Sequence, residues 1–203
     1  MRLSGAVSVF SEPVLLVSDQ VRLEPLAQQH AEALARASAE GDLWRKWTTS
    51  VPAPQDVAGE IDRRLGLQEV GSMLPWATCL PDGTPVGMTT YCNIDAPNRR
   101  LEIGYTWLGP SAQRTAVNPA AKLLQLGHAF EQLDCIAVEF RTHWHNRQSR
   151  RAIAALGAKQ DGVLRNHSID RFGALRDTVV FSIVRDEWPT VRIGLRERLG
   201  LGR

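Results

Sequence analysis

Glu102 is a carboxylate set in the largely apolar run Leu101-Glu-Ile-Gly-Tyr-Thr-Trp107. Such a setting raises a carboxyl's pKa toward the range useful to a general base. The alternative is an exposed strand glutamate paired with Arg99 or Arg100. Gly104, two residues on, suggests a β-bulge that would free backbone N–H groups near Tyr105 and Thr106 to stabilise an oxyanion. It could equally relieve crowding against a neighbour. A second stretch, Asn146 to Gly157, places Ser149, Ala152, Ile153 and Leu156 at i, i+3, i+4 and i+7, one helix face turned toward a core. Asn146 sits at the N-cap position and Gly157 ends the helix. A hydroxyl on that face needs a partner or a chemical role, unless it back-bonds to a helix carbonyl.

Asn118-Pro119 reads as a helix start, with Asn as N-cap and Pro at the first helical position. The preceding Gln113-Arg-Thr-Ala-Val117 can present N–H groups beside the positive end of that helix, an anion site suited to a pyrophosphate. An ordinary capped core helix is the other reading. His143 and His145 share a strand face, but no adjacent Cys, Asp or Glu completes a ligand set, so no metal is expected. Trp44 and Trp47 stand in a loop, where they could wall a ligand's apolar or cationic part or anchor the loop to the core.

The elements that must position these groups follow from pattern. Strands are expected at 21–26, 74–80, 84–93, 100–108, 135–142, 160–166 and 178–184, with Pro81-Asp-Gly83 as a hairpin turn. Helices are expected at 28–39, 55–70, 119–133, 146–156 and 189–199; the third is apolar almost all round. This order gives one mixed α/β domain rather than a doubly wound dinucleotide fold, whose strands and helices alternate more regularly.

A chain of 203 residues holds one full core or two small ones, and 43% hydrophobic with 23% charged residues is ordinary for a globular enzyme. Charged residues interrupt every apolar run, so no membrane span is expected, and the start Met1 to Phe10 lacks a leader's apolar core. A cytoplasmic location follows as an expectation. Net charge +2 argues against a general nucleic-acid binder. Cys79, Cys92 and Cys135 are widely spaced and read as buried free thiols.

The order of Leu101–Trp107, Gln113–Pro119, an apolar helix, a strand to Thr142, the Asn146–Gly157 helix and the tail Gly162-Val-Leu-Arg165-Asn-His167…Arg176-Asp177 resembles the GNAT superfamily of acetyl-CoA-dependent N-acetyltransferases. Within it, the chain is similar to the branch containing ribosomal-protein N-terminal acetyltransferases. The resemblance covers about residues 20–186. It implies a single α/β (α+β) domain over 1–203, with a mixed, mostly antiparallel central sheet flanked by helices and splayed around a cofactor cleft. It further implies acetyl-CoA as donor, no metal, and direct transfer to a protein N-terminus or small-molecule amine; a homodimer is compatible with it.

By resemblance, Glu102 accepts the amine proton and Ser149 is the candidate acid for the coenzyme A thiolate, with Tyr105 next. Tyr105, Thr106 and Trp107, with Gln113, Arg114, Thr115, Ala116, Val117 and Asn118, would hold the cofactor. Asn146 and Ser149 would meet its pantetheine end. The family's loop pattern is Gln/Arg-x-x-Gly-x-Gly/Ala; Gln113 and Arg114 match its beginning, while Ala116 and Asn118 replace the glycines. Trp44, Trp47 and Glu102 would line the acceptor side, with Arg165 and His167 as a further wall or part of an ion-pair cluster. A non-catalytic coenzyme A-binding module on the same fold is the competing function.

Overall fold

The computed structural model describes residues 9–170 and 172–202, so most of the Met1–Phe10 stretch read above for a leader lies outside the described residues. Eight strands form one sheet: β1 (Leu16–Val17), β2 (Arg22–Pro25), β3 (Leu74–Cys79), β4 (Pro85–Asp95), β5 (Arg100–Leu108), β6 (Ala137–His143), β7 (Lys159–Ile169) and β8 (Leu175–Val184). Their order is β1-β2-β3-β4-β5-β6-β8-β7, with β5 and β6 parallel and every other pair antiparallel. Five helices accompany them: α1 (Ala31–Ala39), α2 (Val57–Glu69), α3 (Val117–Gly127), α4 (Arg147–Ala154) and α5 (Trp188–Arg198). The expected helix over 119–133 is α3 followed by a π-helical turn, His128–Gln132. No helix among the described residues is long and apolar enough to cross a membrane.

Strand alternation sorts the apolar side chains onto two faces. Leu23, Trp76, Tyr91, Leu101, Ile103, Val138 and Phe140 meet the inner sides of α3 and α5, including Leu126, Trp188 and Leu195. Ala77, Cys79, Met88 and Trp107 meet Leu34 of α1 and Ile61 of α2 on the other face. Each such large side chain taken from water contributes roughly 1.5–3 kcal/mol, so both helix layers are held firmly on the sheet.

The parallel pair is where the sheet opens. β5 and β6 pair only at Arg100↔Ala137, Leu101↔Val138 and Glu102↔Glu139. Beyond Glu102, β5 runs on to Leu108 while β6 stays with β8 as far as His143↔Thr178. The two strands therefore leave a wedge between them.

Candidate active site

Glu102 stands at the last paired position before the wedge. It is buried, 7% exposed. Its Oε2 accepts a 2.7 Å hydrogen bond from Asn93 Nδ2 and lies 3.5 Å from Arg141 Nε. Arg99 and Arg100 go elsewhere, to Asp134 and Glu139, so the strand-surface pairing read from the sequence does not form. Arg141 is itself held by Glu139 at 2.9 Å. Burial pushes the Glu102 carboxyl above its usual range, and the Asn93 hydrogen bond and the charge of Arg141 oppose that only in part. A cavity of about 160 Å³ opens beside it, lined by Asn93, Asp95, Arg100, Glu139 and Arg141 among others.

Two bulges flank this carboxylate. In β4 the register slips between Cys92 and Asp95, and Asn93 takes φ +47°, which turns its amide toward Glu102. In β5 two residues, Tyr105 and Thr106, stand opposite Thr89 alone, and Tyr105 takes φ +49°. The bulged residue is thus Tyr105, not Gly104. Gly104 meets a different need, because a Cβ there would lie 2.9 Å from both Cys92 Sγ and Glu102 Oε1. Of the two readings offered for this glycine, relief of crowding is the one the geometry supports, and the bulge lies one residue on.

The bulge also shifts the strand's phase. Leu101 and Ile103 face α3, whereas Trp107 packs into the α1/α2 core, which leaves only its main chain to a ligand. Tyr105 is exposed and lies under the Arg63 and Arg64 guanidiniums, 5.2 and 5.4 Å from the ring centre. Fully buried Arg64 bonds Glu60 at 2.8 Å, Thr90 Oγ1 at 2.7 Å and the Tyr105 carbonyl at 3.3 Å. One helix arginine therefore takes up the carbonyl that the bulge withdraws from the ladder.

Downstream, Gln113 Nε2 donates to the Leu108 carbonyl at 2.8 Å, tying the loop to the end of β5. Arg114 has φ +62°. The helix begins at Val117, two residues before the expected start, with Ala116 at the N-cap position; Asn118 lies inside the first turn. Thr115 Oγ1 instead accepts from the Val117 N–H at 3.2 Å, which is the local bond an N-cap hydroxyl would supply. The N–H groups of Ala116 and Asn118 find no acceptor among the described residues. Exposed Ala116 has no bulk to block an approaching anion there, so the loop fits a phosphate despite lacking the glycines.

Across the wedge, Asn146 Oδ1 accepts from the Ser149 N–H at 3.0 Å, the expected N-cap. Its Nδ2 reaches the Thr48 carbonyl at 3.4 Å. The helix ends earlier than the expected 156, at Ala154 with Ala155 as its C-cap, because the chain tightens into turn bonds from Leu156 to Ile153 and from Gly157 to Ala154. Gly157, at φ +97°, turns the chain after these and is not the cap. Ile153 and Leu156 are buried, Ser149 is half-buried, and Ala152 is exposed, so the inward face is narrower than its spacing implied. Trp47 lies against His143 and His145, ring centres 4.9 and 5.7 Å apart, while Trp44 packs beside the α1/α2 core. The loop carrying Trp47 thus meets the end of β6 and the start of α4.

A family model for the acetyltransferase (GNAT) domain matches residues 20–159. The chain belongs to the GNAT acetyltransferase family. Among relatives of this GNAT domain is YdaF of Bacillus subtilis (strain 168), whose name places it provisionally among ribosomal N-acetyltransferases. The two are 30% identical over 112 residues, 55% of this chain, and the match spans 60% of YdaF. A GCN5-related N-acetyltransferase from Brucella melitensis superposes with TM-score 0.82 at 28% identity, over 92% of this chain and 85% of that one. Mycobacterium smegmatis RimJ, solved with CoA-disulfide, superposes with TM-score 0.75 at 24% identity over 93% of each chain.

In this GNAT domain the tail motif is a local lock. Arg165 and His167 lie on β7, the outer edge strand, where the register slips between Leu164 and Ser168 and Asn166 takes φ +49°. Asp177 accepts from Arg165 Nε at 2.6 Å and from the Asn166 N–H at 2.8 Å, and His167 Nδ1 lies 3.1 Å from Thr178 Oγ1. These contacts favour the ion-pair reading over the wall reading. Cys79, Cys92 and Cys135 are buried free thiols. Glu24, His30 and Cys79 gather their ligand atoms within 4.8 Å of one another. His30 Nδ1, however, accepts from the Ala27 N–H, so a neutral ring carries its proton on Nε2 and offers no lone pair there.

Proposed function

We propose that this protein transfers an acetyl group from acetyl-CoA to a primary amine. The observation that carries the reading is the wedge between β5 and β6, with the bulge at Tyr105–Thr106 on one wall, the open N–H groups at the start of α3 at one end, and buried Glu102 at its apex. The N–H groups of Ala116 and Asn118 and the positive end of α3 would receive the pyrophosphate, and Asn146 would meet the pantetheine arm.

The attacking amine must be neutral. Glu102 is placed to accept its proton, directly or through water in the adjoining cavity, and its raised pKa brings it closer to an amine's than an exposed carboxylate would be. As the nitrogen bonds to the carbonyl carbon, charge moves to the carbonyl oxygen, where donors freed by the bulge would hold it. The C–S bond then breaks and the thiolate takes a proton; Ser149, whose hydroxyl has no hydrogen-bond partner among the described residues, is the candidate donor.

The likeness to YdaF favours a peptide or protein N-terminus as acceptor and a cytoplasmic setting. Thiol release from acetyl-CoA across a panel of N-terminal peptides, polyamines and amino acids tests the reading. Amine-dependent release is expected. Coenzyme A binding with no turnover on any amine would leave a non-catalytic binding module.

A further inference from the structure

Lys122 is the one charged residue in the apolar first two turns of α3, and it points into the protein, 4% exposed. Its Nζ reaches Gln125 Oε1 at 2.6 Å, Thr89 Oγ1 at 3.0 Å and Thr106 Oγ1 at 3.3 Å. Three acceptors match the three protons of an ammonium. Among the described residues no carboxylate pairs with it. Thr89, Thr106 and Gln125 are neutral, and the titratable Tyr91 and His128 lie beyond Gln125. Glu102 belongs to the opposite face of β5.

Burial without a counter-ion disfavours the charged form, and it lowers the Lys122 pKa to about 7. The network has one outlet. Thr89 and Gln125 are buried, but Thr106 is exposed and is half of the β5 bulge. Thr89 Oγ1 lies 2.8 Å from Thr106 Oγ1 and 3.1 Å from Gln125 Oε1, so two hydroxyls and an amide relay the ammonium's polarity to the wedge.

We propose that Lys122 is a positioning residue for acyl transfer: acting through the Thr106 hydroxyl, it supplies the positive charge that stabilises the anion formed at the bulge. Thr106 Oγ1 has one long acceptor of its own, the Gly104 carbonyl at 3.4 Å. With the ammonium donating to Thr106 Oγ1, turning that proton outward gives up only this long bond, and the hydroxyl is a stronger donor than an isolated threonine. The interaction grows only as negative charge develops, so it belongs to the transition state and not to ground-state binding. The proposal rests on the acetyltransferase reading above.

The test is steady-state kinetics on the full chain with the best amine of the screen. Lys122→Met should fold and bind acetyl-CoA with KM within about twofold of the parent, while kcat falls at least about tenfold. Thr106→Val, which keeps the lysine and removes only the outlet, should reproduce that loss, and Thr106→Ser should recover most of it. The fall in parent kcat as pH rises through the Lys122 titration should vanish in Lys122→Met. A purely structural lysine would lower the thermal midpoint without moving this pH limb. Should Lys122→Met not fold, Thr106→Val alone decides. Parent-like kcat in either folded variant overturns the proposal and leaves the acetyltransferase reading standing. A parent that binds coenzyme A but acetylates nothing removes both.

Discussion

Glu102 owes its character to what surrounds it rather than to what pairs with it. Among the described residues its one hydrogen bond comes from neutral Asn93, and Arg141 is shared with Glu139. Desolvation therefore wins, and the carboxyl is raised. The base must be ionised to act, so kcat/KM should fall as pH drops through this raised value, at higher pH than an exposed glutamate would give. Glu102→Gln should lower turnover roughly 100-fold or more at neutral pH and abolish that limb; unchanged rates across the profile would clear Glu102 of the role. Asn93→Ala gives a subtler readout. The Asn93 amide stabilises the charged form, so its loss should move the limb upward in pH while the plateau above it stays near that of the parent. A limb that moves down, or a plateau that collapses, would mean Asn93 acts by another route. Glu102 was legible in the sequence because a lone carboxylate in an apolar strand is conspicuous. Asn93 was not, since its aim depends on a bulge in a neighbouring strand.

At the scale of elements, local signals survived and non-local ones did not. β5 runs over the expected residues 100–108, and Asn146 caps the start of α4 as expected, whereas the helix stops at Ala154 with Ala155 as its C-cap and Gly157 turns the chain two residues later. These features are decided within a few residues. The start of α3 is decided locally too, but by Thr115, whose hydroxyl reaches Val117 before Asn118 can cap. Arg64 and Lys122 needed the fold: each lies on a helix whose inward face appears only once it is laid on the sheet. Lys122 did leave a trace, as the single charge in Pro119-Ala-Ala-Lys-Leu-Leu-Gln-Leu126. It also makes the docking of α3 pH-dependent. Burial depresses its pKa to about 7 from 10.5. Between those values the unfolded chain holds the extra proton, so the parent gains stability as pH rises from about 7 toward 10.5. Lys122→Met lacks this gain. Denaturation at pH 6, 8 and 10 should show the variant's stability relative to the parent falling as pH rises; a constant difference would place the amine in contact with water.

For the whole molecule, the decisive feature is a sheet held together at its middle by three residue pairs. β1–β5 with α1, α2 and α3 make one half, β6–β8 with α4 the other, and the halves part beyond Glu102↔Glu139. A ligand laid in the wedge from the start of α3 to the start of α4 would bridge both. Coenzyme A at about 100 times its Kd should then stabilise the protein by about 2.7 kcal/mol, roughly 5–10 °C in midpoint for a chain of this length. Ala116→Asp makes the test sharp, because its two effects oppose. Ala116 is exposed and stands at the start of α3, where an aspartate's charge suits the dipole. The unliganded variant should therefore melt no lower than the parent. The same carboxylate occupies the proposed pyrophosphate position, so the coenzyme A shift should disappear. A variant of unchanged stability that keeps the full shift would move the cofactor away from α3, and with it the assignment of the wedge as the site of acyl transfer.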